Sequence, residues 1–128
     1  MSFDVFVCRF ENGEPTPLDM NAAREVLAPH VVAQDPRRML EICTAEGEEA
    51  TVFLSGPESI TFNRFGGGGI MDLLAVLLRR LDAVLVVPGG PTVIQRDGDC
   101  DRLPAVLKDE GHVVPHTGVE IDRAIRAG

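Results

Sequence analysis

Apolar and polar positions along this chain change period several times, and each change marks an element. From Ile60 to Phe65 they begin by alternating, as on a half-buried strand. After Gly66 to Gly69 the pattern turns dense: positions 70, 71, 73, 74, 76, 77, 78 and 81 are all apolar. That density covers most of a helix surface. It predicts a helix over Ile70 to Asp82, and predicts that this helix is the most buried one. Ala83 to Val87 is an unbroken aliphatic run, which suits a strand covered on both faces. Pro88-Gly89-Gly90-Pro91 must turn the chain, and Thr92 to Gln95 returns as a hairpin partner. The rest of the chain is organised around this unit, Ser59 to Gln95.

Upstream, Ser2 to Phe10 has apolar residues on both alternating sets, the pattern of a strand inside a sheet. Asn12-Gly13 is a turn signal, but Pro15 and Pro17 follow it. Proline cannot donate to a central ladder, so the expectation is a turn into a loop, not a full hairpin. Asp19 can cap a helix over Met20 to Ala28 that Pro29 ends. His30 to Ala33 reads as a short strand. Met39 to Ala45 and Ala50 to Ser55 read as a hairpin around Glu46-Gly47-Glu48-Glu49, with Leu40, Ile42, Val52 and Leu54 facing the core. With the strand at Ile60 they make a three-stranded meander.

Downstream, Asp101 can cap a helix over Arg102 to Glu110, with Gly111 placed to end it. His112 to Pro115 reads as an edge piece. Thr117 to Glu120 matches a capping box for a last helix over Gly118 to Ala127. Strands cluster between helices and do not alternate strictly with them. The expected fold is therefore α+β: residues 1–128 form one domain, a single mixed, mainly antiparallel sheet with helices packed against it.

Composition narrows the classes of function. The formal charge is −8. A surface of that sign repels phosphate backbones and suits solubility or a basic protein partner. Charged residues interrupt the central apolar run, so it predicts no membrane span. Cys8, Cys43 and Cys100 are scattered singly, which fits neither a disulfide framework nor a zinc motif. With no signal-peptide pattern at the start, the expected compartment is the cytoplasm.

Candidate chemistry is sparse. Gly66, Gly67, Gly68 and Gly69 before a helix, with Arg64 upstream, invite an anion-binding reading, and so a small-molecule or nucleotide-binding domain. The lysine and hydroxyl of a P-loop are missing, however, and Asp72 in the first helical turn would oppose an anion. Asp97-Gly98-Asp99-Cys100-Asp101 opens like a calcium loop. Arg102 and Lys108 then stand where glycine and a bidentate glutamate are required, which argues against calcium. His112 and His116 are separated by Pro115 and have no third ligand near in sequence, so no metal and no cofactor is expected. No cysteine–histidine or serine motif points to a nucleophile. What remains are two carboxylate-rich loops, Glu46, Glu48 and Glu49 in one and Asp97, Asp99 and Asp101 in the other. Together they predict a negative docking patch for a basic partner.

Two segments carry a resemblance. Met1 to Val7 with Arg9 to Pro15, and Phe62 to Gly68, resemble small actinobacterial α+β proteins. Small acidic α+β proteins of this sort resemble immunity proteins of bacterial polymorphic toxin systems. The resemblance implies a non-enzymatic protein that neutralises a basic toxin domain, and it identifies no catalytic residue.

Overall fold

The structure, a computed structural model, describes residues 4–34, 39–44, 47–54, 59–63, 69–87, 92–95, 101–108, 112, 113, 121 and 123. In chain order it runs β1 (Val5–Glu11), β2 (Glu14–Thr16), α1 (Met20–Leu27), a 3-10 turn (Ala28–His30), β3 (Val31–Gln34), β4 (Met39–Cys43), β5 (Glu49–Phe53), β6 (Ser59–Asn63), α2 (Gly69–Leu81), β7 (Val84–Val86), β8 (Thr92–Val93), α3 (Ala105–Lys108) and β9 (His112–Val113).

The strands form one sheet in the order β3-β4-β5-β6-β1-β7-β8-β9, with β2 paired to β1. Every described pairing is antiparallel except β8 with β9. The expected α+β fold with a mainly antiparallel sheet is therefore what forms, and β4, β5 and β6 make the expected meander. The first strand sits at the centre. β1 pairs β6 on one side and β7 on the other, antiparallel to both. β6 and β7 are thus parallel to each other, and α2 crosses over β1 to join them.

The pleat sorts the side chains into two faces. Val5 lies opposite Phe62, and Val7 opposite Ile60 and Leu85. All five are fully buried beneath the helices. Leu40, Val52, Ile42 and Ala50 extend this face across β4 and β5. Onto it α2 lays Ile70, Met71, Leu73, Leu74, Leu77, Leu78 and Leu81, while α1 contributes Ala22, Ala23 and Leu27. Burying a large aliphatic side chain contributes roughly 1.5–3 kcal/mol, so α2 is the main fastening of the fold. A smaller cluster of Val84, Ile94 and Leu103, packed with Phe10 and Leu107, lies at one end of the molecule.

Three local expectations need correction, and a fourth falls largely outside the described residues. Glu14–Thr16 does pair with β1, and Pro15 stands opposite Phe10. Asn12 and Gly13 both take positive φ, 51° and 81°, as a tight hairpin turn demands. Proline is tolerated because β2 is short and, among the described residues, pairs with β1 alone. The central helix begins at Gly69 and ends at Leu81. Asp82 is not its last helical residue but its left-handed terminator, at φ 52°. Asp101 does not cap α3, which begins only after Pro104. Leu103 precedes that proline and is disfavoured from helical backbone. The last predicted helix, Gly118 to Ala127, lies outside the described residues except for Ile121 and Arg123, which are helical. Ile121 is buried in the main core.

Candidate functional site

One end of the sheet is built by the β4–β5 turn. The Thr44 N–H donates to the Glu48 carbonyl at 2.8 Å, and the Gly47 N–H donates to the Thr44 carbonyl at 2.9 Å. The Glu48 N–H donates to the Thr44 hydroxyl at 3.2 Å. Gly47 sits at φ 87°, the left-handed position of a glycine-closed hairpin loop. This turn swings the Glu48 carboxylate onto the start of α2, where it accepts the Gly69 N–H at 2.5 Å. An internal anion thus satisfies an orphan amide of the helix and faces its positive end. It takes the amide that an incoming phosphate would use. Close by, the Asn63 side-chain amide donates to the Asp4 carboxylate.

The opposite end is held by charge. Asp82 terminates α2 with two backbone bonds, Ala83 N–H to the Leu78 carbonyl at 3.0 Å and Asp82 N–H to the Arg79 carbonyl at 3.4 Å. That is a Schellman closure, usually made by glycine. Its carboxylate meets the Arg102 guanidinium at 3.1 Å and lies 3.9 Å from that of Arg9. Arg102 also pairs with Glu11, and Arg9 reaches Glu11 at 3.4 Å. The hydrogen bond from Arg102 is the main reason the Glu11 carboxyl is held below the usual carboxylate range. Partial dehydration works against it, and the charges of Arg102 and Arg9 work with it. The same bond to Glu11, followed by that to Asp82, raises Arg102 above its ordinary value. The Gly13 N–H donates to the Arg102 carbonyl at 3.0 Å, and the Gln95 amide donates to the carbonyls of Leu78 and Ala83. The β1–β2 turn, the end of α2 and the segment before α3 are fastened together here.

Of the six carboxylates expected to form one docking patch, Glu48, Glu49 and Asp101 are described; Glu46, Asp97 and Asp99 lie outside the described residues. Glu48 and Glu49 sit at the end where β6 finishes and α2 begins. Asp101 adjoins Arg102 at the other end, beyond the length of β1. About 20 Å of strand separates the two ends, at ~3.3 Å per residue over Val5–Glu11. The described parts of the two loops are therefore not one patch. Glu49 and Asp101 are exposed, whereas Glu48 is partly buried and occupied by Gly69. For the anion-binding expectation, Gly69 is placed as above, and Arg64, Gly66, Gly67 and Gly68 lie outside the described residues.

Register brings forward a residue that the loop composition did not suggest. Glu41 stands opposite Thr51, and Glu49 is two residues before Thr51 on the same strand. Glu41 and Glu49 thus share the face turned away from α1 and α2, as diagonal neighbours across the strands. Both are exposed, and among the described residues neither side chain makes a hydrogen bond or ion pair. The signal was present in Leu40-Glu41-Ile42, where the polar position must point outward; its neighbour across the hairpin depends on a register that local pattern does not supply.

Cys8 and Cys43 are half-buried free thiols on different strands, and Cys100 lies outside the described residues. Burial pushes the Cys8 thiol up, and the hydrogen bond with Ser59 only partly opposes it. His112 is in β9, and His116 lies outside the described residues. Among the described residues no group of three His, Cys, Asp or Glu is placed to hold a metal ion. No described helix is long and apolar enough to cross a membrane. Compared with known proteins, the chain matches no family, no curated protein and no solved structure.

Proposed function

We propose that this chain is a non-enzymatic, acidic protein-binding domain that acts in the cytoplasm and neutralises a basic partner, as an immunity protein does with a toxin domain. The observation that carries the reading is one pair of exposed carboxylates on the outer face of the sheet. Arg9, Arg80 and Arg102 are spent on internal pairs with Glu11, Glu25 and Asp82. Glu49 and Glu41, diagonal neighbours on the outer face, are left exposed with no such pair among the described residues. The net charge of −8 steers such a partner in from a distance and repels nucleic acid.

The test is calorimetry of the purified protein with the product of the adjacent gene, at low and at physiological salt. A stoichiometric complex that weakens as salt rises supports the reading. An adjacent gene product that neither carries a basic surface nor binds would remove its basis.

A further inference from the structure

The sheet carries a shallow cavity of about 220 Å³ beside its edge, lined by Val32, Glu41, Ile42, Glu49, Ala50 and Thr51. Its form follows from the register. Between β3 and β4 the pairing steps from Val31–Ile42 to Ala33–Glu41, which leaves Val32 as the extra residue of a bulge. A bulged residue falls out of the ladder, and Val32 is turned out to 66% exposure, the most exposed large hydrophobic side chain among the described residues. Ile42 and Ala50 face each other across the hairpin and send their side chains into the core, so they offer the cavity only backbone. Glu41, Glu49 and Thr51 supply the polar wall. An apolar side chain and two unpaired carboxylates therefore face one small volume.

We propose that this cavity receives one lysine or arginine side chain of a partner protein, its alkyl stem lying on Val32 and its cationic head between Glu41 and Glu49. The proposal rests on the reading that the domain binds a basic protein, and names where and through what. Charge complementarity selects the occupant. A long cationic side chain is apolar along its stem and charged at its tip, which matches Val32 and the carboxylates in turn. A second copy of this chain would bring a net charge of −8 against the same charge. A bare calcium ion takes about six to eight oxygen ligands, more than two carboxylates supply. Strand addition is opposed by the bulge, which breaks the regular edge of β3, so the contact is led by a side chain.

The test is a titration of the isotope-labelled protein with a short peptide of alternating lysine and valine, followed by amide chemical shifts, with a glutamate–valine peptide as control. The expected result is salt-sensitive shifts at Val32, Glu41 to Cys43 and Glu49 to Thr51, absent with the control. The double variant Glu41→Gln, Glu49→Gln should bind about tenfold more weakly, the loss of two exposed charge pairs. Both positions are exposed, and its amide spectrum should otherwise superimpose on that of the parent protein. Salt-sensitive shifts confined to the Asp101 end, or binding that the double variant leaves unchanged, would overturn this location while leaving a basic-protein binder intact. No shift anywhere at millimolar peptide would overturn both.

Discussion

Glu48 and Gly69, 21 residues apart in sequence, are joined by a single hydrogen bond of 2.5 Å from the first backbone amide of the central helix to a hairpin-tip carboxylate. The bond does what an N-cap does, but its acceptor comes from another element. Replacing Glu48 by Ala should cost about 1–2 kcal/mol, because it removes both the acceptor and the negative charge at the helix start. Glu48→Gln should keep an acceptor and lose only the charge, costing roughly half as much. Urea denaturation of the two variants measures this. Equal losses in both would mean that the charge carries the whole effect. No loss in Glu48→Ala would mean that the contact is unimportant.

Asp82 occupies a backbone position that usually belongs to glycine, at φ 52°. An ordinary side chain there costs about 1–2 kcal/mol, and Asp is among the residues that tolerate it best. The carboxylate gives a reason for its presence, since it meets Arg102 at 3.1 Å. Both partners are partly solvated, with side chains 25% and 43% exposed, so the pair is worth about 1 kcal/mol or less. Glycine at position 82 should therefore be nearly neutral, asparagine slightly destabilising, and alanine worst, at about 1–2 kcal/mol. Thermal melts of the three variants test the order. Alanine as stable as glycine would refute the backbone argument.

The same network gives the stability a pH dependence of definite sign. The folded Glu11 carboxyl is held below its ordinary value, chiefly by the hydrogen bond from Arg102. Its contribution is complete above the usual glutamate range, near pH 4.3, and is lost as pH falls through the lower folded value. Glu11→Gln has no such proton to gain. The stability difference between wild type and Glu11→Gln should thus shrink on acidification below about pH 4. Denaturation curves between about pH 3 and pH 7 would show it; a difference independent of pH would remove Glu11 from the acid response.

Cys8 offers a second reading of ionisation. Its thiol is pushed up by burial, so little of it is thiolate at mildly alkaline pH. Native protein should react with a thiol reagent at Cys8 much more slowly than unfolded protein does. Cys8→Ser, used to assign the rate, should remove only a slow phase. A fast phase that disappears in that variant would show the thiol to be activated instead.

Much of the fold is legible wherever a local pattern is one-sided. The apolar run over Ile70 to Leu81 admits one partner, a sheet, and its large side chains are buried as the spacing requires, except Val76. Leu40, Ile42 and Val52 alternate with outward residues on either side of a turn, and their burial follows. Illegible were the relationships that depend on distant pairing. Nothing in Val5 to Cys8 says that it separates β6 from β7. Nothing in the acidic loops says that one folds against the central helix while the described part of the other lies beyond the far end of β1. Asp82 reads as helical because an aspartate in left-handed backbone leaves no mark in composition, whereas a glycine does.

Two glycines separate the cost of backbone strain from the cost of packing. Gly13 has φ 81° and Gly47 φ 87°, so alanine is strained at both. A Cβ on Gly13 would meet the Leu103 carbonyl and the Pro104 Cα at 3.8 Å, which is ordinary contact, and one on Gly47 would meet nothing within 4 Å. Neither substitution is opposed by space. Gly13→Ala and Gly47→Ala should therefore each cost about 1 kcal/mol, from positive φ alone, and their effects should add because the turns stand at opposite ends of the sheet. Chemical denaturation of the single and double variants checks both statements. A much larger loss in Gly13→Ala would mean that the turn is clamped against the segment before α3 more tightly than a 3.8 Å contact implies. The Gly13 N–H bond to the Arg102 carbonyl would then be the contact to examine, since it ties that turn to the network of Arg102, Glu11 and Asp82.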